Sequence, residues 1–300
     1  MNDITTALAT LAADPSFRVL IRVAAPSAAV PSEHTQPVET LRVAVIDLET
    51  TGMDWRVDRV IEIGMVVCDV CRVTGTIKRF VTEFSSLNDP GMPIPASATA
   101  VNGITDDMVR GHRIDPDDLS MALTGVDLVL AHNAAFDRPF AEVMHREFST
   151  LPWSCSFAEV DWNAEGIESR KLDYIAFKLG FFYDAHRALA DCHAVFAVLT
   201  ARLPKSHGSG FARLFKSMQQ PSYSFAALGA AFDKKDSLKA RGYTWNADDK
   251  HWHTSIFGPD AARAEAAWLQ EHIYNEASRA AIYKLSALDR YSMRIGEKIR

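Results

Sequence analysis

Cysteine is scarce in this 300-residue sequence, and it contains no long apolar run. Four cysteines are too few for a disulfide framework in a chain of this length. Cys68 and Cys71 form one C-x-x-C pair, but they fall on a predicted strand, where positions three apart face opposite sides. We therefore interpret them as buried, reduced thiols rather than zinc ligands. Because no apolar run is long enough to span a bilayer, we predict no membrane partner.

An excess of positive charge is also missing, since the formal net charge is −6. Residues 1–206 carry a net charge of −10, whereas residues 207–300 carry +4. An acidic front part does not attract nucleic acid by bulk charge, so handling phosphate there requires metal ions or local groups. The basic rear part is the candidate for electrostatic contact with nucleic acid. The N-terminus lacks a basic region followed by an apolar core, so we expect no secretory signal and a cytoplasmic location.

Composition predicts an N-terminal arm and linker over 1–40, an α/β domain over 41–203, a linker over 204–222 and a small accessory domain over 223–300. Short connections after the first strands predict antiparallel pairing, and later strands alternate with helices. The domain should therefore hold a mixed sheet flanked by helices. Strands are expected near 41–49, 59–70, 76–84, 127–131 and 153–157, and helices near 104–109 (capped by Thr105), 135–148, 168–180 and 187–202.

The first of these strands ends in a pair of acids. In the stretch Val43–Gly52, four apolar residues precede Asp47, and Gly52 marks a turn. Because strand side chains alternate, Asp47 and Glu49 face the same side, while Leu48 points into the core. Two adjacent acids repel each other unless a cation lies between them, and a hard divalent ion is the usual partner. The alternative is a pair of ordinary surface acids on a solvated strand end.

Two later segments bring further acids to the same edge of the sheet. His132-Asn-Ala-Ala-Phe-Asp137 follows the fourth strand, so Asp137 lies in the first turn of a helix near the carboxyl end of the sheet. His186 and Asp191 are five residues apart, which favours His186 in a loop and Asp191 on the inward face of the next helix. Taken singly, Asp137 is equally explained by the helix dipole, and His186 by a solvated helix start.

Together these motifs resemble the DEDDh 3′–5′ exonuclease family, which includes the proofreading epsilon subunit of bacterial DNA polymerase III, RNase T and oligoribonuclease. The resemblance covers about 40–203 and implies an RNase H-like fold with a five-stranded mixed sheet. It implies that Asp47, Glu49, Asp137 and Asp191 hold two Mg²⁺ or Mn²⁺ ions, and that His186 is the general base. The products would be nucleoside 5′-monophosphates, released from a 3′ end. A related class with Tyr-X-X-X-Asp is excluded because Arg occupies position 187.

The resemblance also implies contacts to the terminal nucleotide. One departure concerns Asn102, because the family often has His-Gly where this chain has Asn102-Gly103, and asparagine cannot carry positive charge. The alternative for the apolar members is a place in the core. The implied contact residues are Leu48, Thr50, Thr51, Gly52, Asn102, Asn133 and Phe136.

The expected partner is nucleic acid with a free 3′ end. Single-stranded DNA is favoured and RNA stays open, because contacts to the 2′-hydroxyl are not readable from the sequence. A DNA polymerase or a repair protein is a candidate partner. One alternative is an RNA-trimming or short-oligonucleotide exoribonuclease. A second is a binding protein with an inactive nuclease core, which would be expected to have lost a ligand.

The rear part reads as a small α+β module with three predicted elements and a basic tail. Trp245 and Trp252 suit base stacking beside Lys and Arg, although a place in the core is favoured in so small a module. From its net charge, we expect the module to raise the affinity for nucleic acid. The elements are a basic helix at 234–242 closed by Gly242, a hairpin of 243–246 with 250–254, a helix at 260–285, and a tail with Arg290, Arg294, Lys298 and Arg300.

Overall fold

A five-stranded sheet organises the front part of the chain in this computed structural model, which describes residues 3–27, 39–274 and 278–299. The chain divides into two compact units: Met1–Leu151 with Cys155–Leu214, and Phe215–Arg300 with Pro152–Ser154. Strands up to residue 214 are β1 (Ile21–Arg22), β2 (Thr40–Thr50), β3 (Val60–Cys71), β4 (Ile77–Leu87), β5 (Leu128–Ala131), β6 (Trp153–Cys155) and β7 (Phe181–Phe182).

The strand order β4-β3-β2-β5-β6 confirms the predicted mixed sheet. Strands β2, β3 and β4 pair antiparallel, and β5 pairs parallel with β2. Val43–Ile46 of β2 are fully buried, as expected for a central strand covered on both faces. Cys68 and Cys71 are buried free thiols, in agreement with the sequence-based interpretation.

The helices follow the predicted pattern with some changes of length. A helix directly follows the proline-rich segment 90–95 and was not predicted. Thr105 lies at a helix N-cap, but its side chain forms no capping hydrogen bond there, contrary to expectation. The predicted strand 153–157 is shorter because a helix begins at Ser156. The helices up to residue 218 are α1 (Asp3–Ala13), α2 (Ala96–Asn102), α3 (Asp106–Val109), α4 (Pro116–Leu123), α5 (Ala134–Met144), α6 (Ser156–Glu159), α7 (Leu172–Lys178), α8 (Ala188–Thr200) and α9 (Gly210–Met218), with a 3₁₀ turn at Arg146–Ser149.

The structure describes the two predicted linkers to different extents. Residues 28–38 of the first lie outside the described residues, while β1 in the preceding arm pairs with β7. The segment 204–222, interpreted as a linker, instead contains α9. The side chain of Phe211 in α9 is buried against Phe196, with ring centroids 5.5 Å apart. The Ser209 hydroxyl donates a hydrogen bond to the Thr74 carbonyl at 2.7 Å. Tertiary packing therefore orders a segment whose glycines and polar residues had indicated a linker.

The second unit has its own five-stranded sheet, in the order β12-β11-β8-β10-β9. The predicted hairpin is confirmed, and Gly242 has the positive φ of 90° expected after the basic helix. The predicted helix 260–285 is wrong in its second half, because 281–285 form a strand that pairs with β8. The elements are β8 (Ser222–Ala227), a 3₁₀ turn at Phe232–Lys234, α10 (Lys235–Ala240), β9 (Thr244–Asn246), β10 (His251–Phe257), α11 (Pro259–Trp268), a π turn at Leu269–Tyr274, β11 (Ala281–Leu285) and β12 (Glu297–Lys298).

Two predictions about side chains of the second unit are also corrected. Trp245 is 48% exposed and is therefore not a core residue, whereas Trp252 packs against the core. Arg290 is buried rather than part of a solvated basic tail, and its guanidinium donates to the hydroxyl of Ser222 at 3.1 Å. Arg300 lies outside the described residues. In the part of the chain that the structure describes, no helix is long and apolar enough to cross a membrane.

The backbones of β3 and α8 approach each other closely at Gly64. A Cβ atom built on Gly64 would lie 2.4 Å from the carbonyl carbon of Ala188 and 2.4 Å from the amide nitrogen of Leu189. The thiol of Cys192 also donates to the Gly64 carbonyl, at 3.3 Å. Because any side chain at position 64 would push the helix away, glycine is required for this contact.

We predict that Gly64→Ala lowers the free energy of unfolding by about 1–3 kcal/mol, the usual cost of overpacking a core. Urea unfolding followed by circular dichroism would measure the change. Gly208→Ala is the matched control, because no atom lies within 4 Å of its built Cβ. Equal unfolding midpoints for the two variants would contradict the packing role of Gly64.

Candidate active site

A cleft of about 530 Å³ opens where β2 and β5 end. All the residues that the sequence analysis selected line this cleft, although they come from separate parts of the chain. They are Asp47, Leu48, Glu49, Thr50, Thr51, Gly52, Asn102, Asn133, Phe136, Asp137, His186 and Asp191. The parallel pairing of β2 with β5 brings the segments after both strands to this edge.

Three carboxylates converge in the cleft. Asp47 and Glu49 project from β2 on the side opposite to the buried Leu48, as strand alternation requires. Asp191 lies in the first turn of α8. One carboxylate oxygen from each of the three residues lies within 4.8 Å of the others. This spacing suits a single small cation with oxygen ligands.

Asp137 lies in the same cleft but outside this group of three. Its side chain is buried, and it projects from the first turn of α5. Asn133 begins that turn with a left-handed backbone, at φ 80°, a conformation that asparagine tolerates better than most residues. The fourth predicted carboxylate is therefore present at the site, set behind the other three.

Burial raises the pKa values of all four carboxyl groups. The pKa of Glu49 rises to about 6, with burial as the main cause and the hydrogen bond from Asn102 opposing it. The pKa of Asp47 lies well above its ordinary value, first because of burial and then because of the charge on Asp137. Without cations, these four groups thus resist ionisation more than solvated carboxyl groups do.

Neutral donors hold two of the carboxylates in place. The amide nitrogen of Asn102 donates to Glu49 Oε2 at 3.2 Å, and the Asn102 Oδ1 accepts from the backbone of Ile104 at 3.0 Å. The Tyr183 hydroxyl donates to Asp191 Oδ1 at 2.9 Å. Asn102, interpreted as a contact to the nucleotide, is thus positioned to orient Glu49.

His186 lies in the loop before α8, as predicted, and is exposed. Its backbone is left-handed, at φ 66°. The amides of His186 and Arg187 both donate to Asp191 Oδ2, at 2.8 and 3.2 Å. The Arg187 guanidinium pairs with the buried Glu62 at 2.7 Å. These contacts anchor the loop on both sides of His186.

The turn after β2 is held by its own side chains. The Thr50 hydroxyl donates to the Gly52 carbonyl at 2.6 Å. The Thr51 hydroxyl donates to Asp58 at 3.1 Å. A Cβ on Gly52 would lie about 2.5 Å from the Asp58 carboxylate oxygens, so glycine leaves room for that contact. The backbone of the turn therefore faces the cleft in one defined conformation.

Sequence reasoning missed several residues of the site. Tyr183 contacts Asp191 only in the folded chain, so its position in the sequence offers no signal. Glu62 had a signal, because it is an acid inside the otherwise apolar run Val60–Val67 and pairs in register with Glu49. His132 is fixed by hydrogen bonds to Ser156 and to the Arg170 carbonyl, and its burial lowers its pKa to about 4. The missed residues that line the cleft are Met53, Ser97, Ala98, Val101 and His132.

Comparison with known proteins identifies the family of the chain. A family model described as exonuclease, RNase T type, matches residues 44–199. The chain therefore belongs to this exonuclease family, whose members depend on divalent metal ions. Residues 200–300 lie beyond the matched region.

Two curated relatives carry names from DNA replication. The DNA polymerase III subunit epsilon of Treponema pallidum is 32% identical over 183 residues, covering 57% of this chain and 81% of the relative. The PolC-type DNA polymerase III of Thermotoga maritima is 31% identical over 153 residues, covering 49% of this chain. The chain spans only 11% of that polymerase's length.

A solved structure supports the fold. Exonuclease I of E. coli, in a zinc-bound complex with single-stranded DNA, superposes with a TM-score of 0.50 at 14% identity. The alignment covers 76% of this chain and 67% of that one. At this identity the likeness concerns the arrangement of strands and helices alone.

The raised pKa values predict how the stability of the metal-free protein depends on pH. Between the ordinary pKa of a carboxyl group and its raised value, the folded state binds more protons than the unfolded state, so stability falls as pH rises. In EDTA, the melting temperature should fall between pH 5 and pH 8. Asp47→Asn should remove part of that fall and should melt higher than the wild type at pH 8.

Thermal unfolding at several pH values, with and without Mg²⁺, would measure this. Added metal should raise the melting temperature of the wild type more than that of the variant. Asp236→Asn, at an exposed position of α10, is the control and should follow the wild type. A variant that melts below the wild type at pH 8 would contradict the repulsion among the carboxylates.

Proposed function

We propose that the protein is a metal-dependent 3′–5′ exonuclease that removes nucleoside 5′-monophosphates from the 3′ end of nucleic acid. The observation that carries the proposal is the convergence of three carboxylates, a fourth behind them and an anchored histidine in one cleft. The match of residues 44–199 to an exonuclease family supports it.

The donor set fits divalent metal ions. Carboxylate oxygens are hard ligands, and hard cations such as Mg²⁺ and Mn²⁺ prefer them. A bound cation would reduce the electrostatic repulsion among the three converged carboxylates. Asp47, Glu49 and Asp191 would hold the metal, with Asp137 completing a site for two ions. When bound, the ions neutralise charge on the phosphate and lower the pKa of water.

His186 is the group best suited to accept a proton from the attacking water. Histidine is the side chain that changes charge near neutral pH, and His186 is exposed at the cleft. Water oxygen forms the new bond to phosphorus, and the bond from phosphorus to the 3′ oxygen of the preceding nucleotide breaks. One water proton passes to His186, and the released 3′ oxygen takes a proton from solvent.

The walls of the cleft suit a single nucleotide end. Phe136 offers an aromatic edge, and Leu48 and Val101 add apolar surface for a base or sugar. The turn at Thr50–Gly52 offers backbone groups beside the carboxylates. DNA is the favoured substrate, since the named relatives belong to DNA polymerase III. A role in proofreading or repair, with a DNA polymerase as a candidate partner, follows from the same relatives.

We predict that the protein releases labelled mononucleotide at once from 3′-labelled single-stranded DNA, and a ladder of shortened products from 5′-labelled DNA. EDTA should abolish both, and Mg²⁺ or Mn²⁺ should restore them. Asp47→Ala should lose cleavage but keep substantial DNA binding, because the ligand set is broken while the cleft remains. A matched RNA substrate ranks the two polymers, and faster cleavage of RNA would favour an exoribonuclease.

Cleavage that persists in EDTA or in Asp47→Ala would contradict the assignment of the metal ligands. Binding without cleavage of either polymer, under any metal, would identify a nucleic-acid-binding protein with an inactive nuclease core.

His186→Asn should lower kcat by about 10²- to 10⁴-fold, the usual contribution of a general base, with little change in KM. Asparagine tolerates the left-handed backbone at this position, so the loop should keep its conformation. His112→Asn, on an exposed loop, is the control and should keep wild-type kcat. An unchanged kcat in His186→Asn would remove the histidine from the mechanism.

A further inference from the structure

The second unit exposes aromatic side chains next to lysines. Phe232 is 81% exposed and Trp245 is 48% exposed. Single exposed apolar side chains are common, but apolar side chains grouped on one surface often mark a site of interaction. The surface that carries them is formed by α10, the 3₁₀ turn before it, and the hairpin of β9 and β10.

These side chains form a continuous row, here called the aromatic–lysine strip, made of Phe232, Lys235, Lys239, Trp252 and Trp245. Lys235 Nζ lies 4.4 Å from the ring centroid of Phe232, and Lys239 Nζ lies 5.9 Å from that of Trp252. The two lysines are one helical turn apart, so they share a face of α10. The Trp252 and Trp245 rings meet with centroids 5.5 Å apart, across the hairpin.

Packing of the second unit does not account for the strip. The core is built by other residues, among them Phe225, Leu238 and Tyr243, and only Trp252 of the strip packs against it. Trp245 is on β9, the last strand of the sheet order, and about half of its side chain is exposed. In the part of the chain that the structure describes, neither Lys235 nor Lys239 forms an ion pair, so both ammonium groups are available to a ligand.

We propose that the aromatic–lysine strip binds single-stranded nucleic acid, with bases stacked on Trp245 and Phe232 and phosphates contacting Lys235 and Lys239. Alternating aromatic and basic side chains are the usual means of binding a single strand without regard to its sequence. The charge of the rear part agrees, at +4 for residues 207–300. This proposal rests on the proposed function only in taking the bound strand to be the substrate of the nuclease. Binding to the strip itself requires no cleavage.

Acidic neighbours limit the strength of this surface. Asp236 is on α10 with both lysines, and Asp233 is on the 3₁₀ turn with Phe232. Asp249 is in the hairpin turn, where it accepts a hydrogen bond from Asn246. With two lysines beside these acids, the strip should contact about two phosphates. The salt dependence that it adds should be correspondingly modest, with a slope of about −0.7 per phosphate for a single strand.

The test uses the full chain and a fluorescently labelled twenty-residue oligo-dT in EDTA, with a gel to verify that the strand stays intact. Trp245→Ala should weaken binding by about 5- to 150-fold, the range for loss of one stacked base, and Trp245→Phe should restore much of it. The double variant Lys235→Gln/Lys239→Gln should make the slope of log K against log salt shallower by about 1.4. Met293→Ala is the control, an exposed apolar residue of the same unit outside the strip.

The outcomes separate this proposal from the nuclease proposal. If the wild type cleaves DNA while both strip variants bind oligo-dT as the wild type does, the strip is not a nucleic-acid surface and the nuclease assignment stands. If the strip variants lose affinity for oligo-dT while neither the wild type nor any variant cleaves DNA, the strip proposal is supported and the nuclease proposal is not. Because Lys235 is half-buried and Lys239 is exposed, and neither is in the hairpin, the lysine variants remain informative even where Trp245→Ala unfolds the hairpin.

Discussion

Repulsion between closely spaced, partly buried carboxylates is the constraint on which the rest of the site depends. Asp47, Glu49 and Asp191 are held within a few ångströms of one another, where burial raises the pKa of each. The guanidinium of Arg187 forms its ion pair with Glu62 rather than with these three carboxylates. The donors that do reach the group are neutral: an asparagine amide, a tyrosine hydroxyl and two backbone amides. The protein thus keeps the acids oriented but leaves their charge to be balanced from outside.

The framework that enforces this crowding is the contact between β3 and α8. Gly64 is the register partner of Asp47, and its missing side chain lets the start of α8 lie directly against the strand. That start carries Asp191. Close packing of two backbones therefore fixes the distance between ligands from two distant parts of the sequence. Stability spent on holding like charges together is a common feature of functional sites.

Much of the first unit could be predicted from the sequence, because its signals are local and periodic. A few neighbouring residues are enough to predict the geometry in two places. These are the alternation around Asp47–Glu49 and the strand–loop–helix segment that ends in Asp137. The misses share one cause, which is dependence on contacts made elsewhere in the chain. Helix α9 is ordered by burial of Phe211, and β11 by pairing with β8. Tyr183 reaches Asp191 only after folding, and Trp245 was assigned to a core that other side chains fill.

Asp191 serves two parts of the site at once. One oxygen accepts the amides that hold the loop of His186, and the same carboxylate belongs to the group that would bind metal. Losing this side chain would therefore remove a proposed metal ligand and, at the same time, the hydrogen bonds that hold the loop of His186. In a double-mutant cycle, substitutions at positions 186 and 191 should consequently be far from additive, as expected of residues that act as one unit. The proposed base and the proposed metal ligand are, in this sense, a single thermodynamic element.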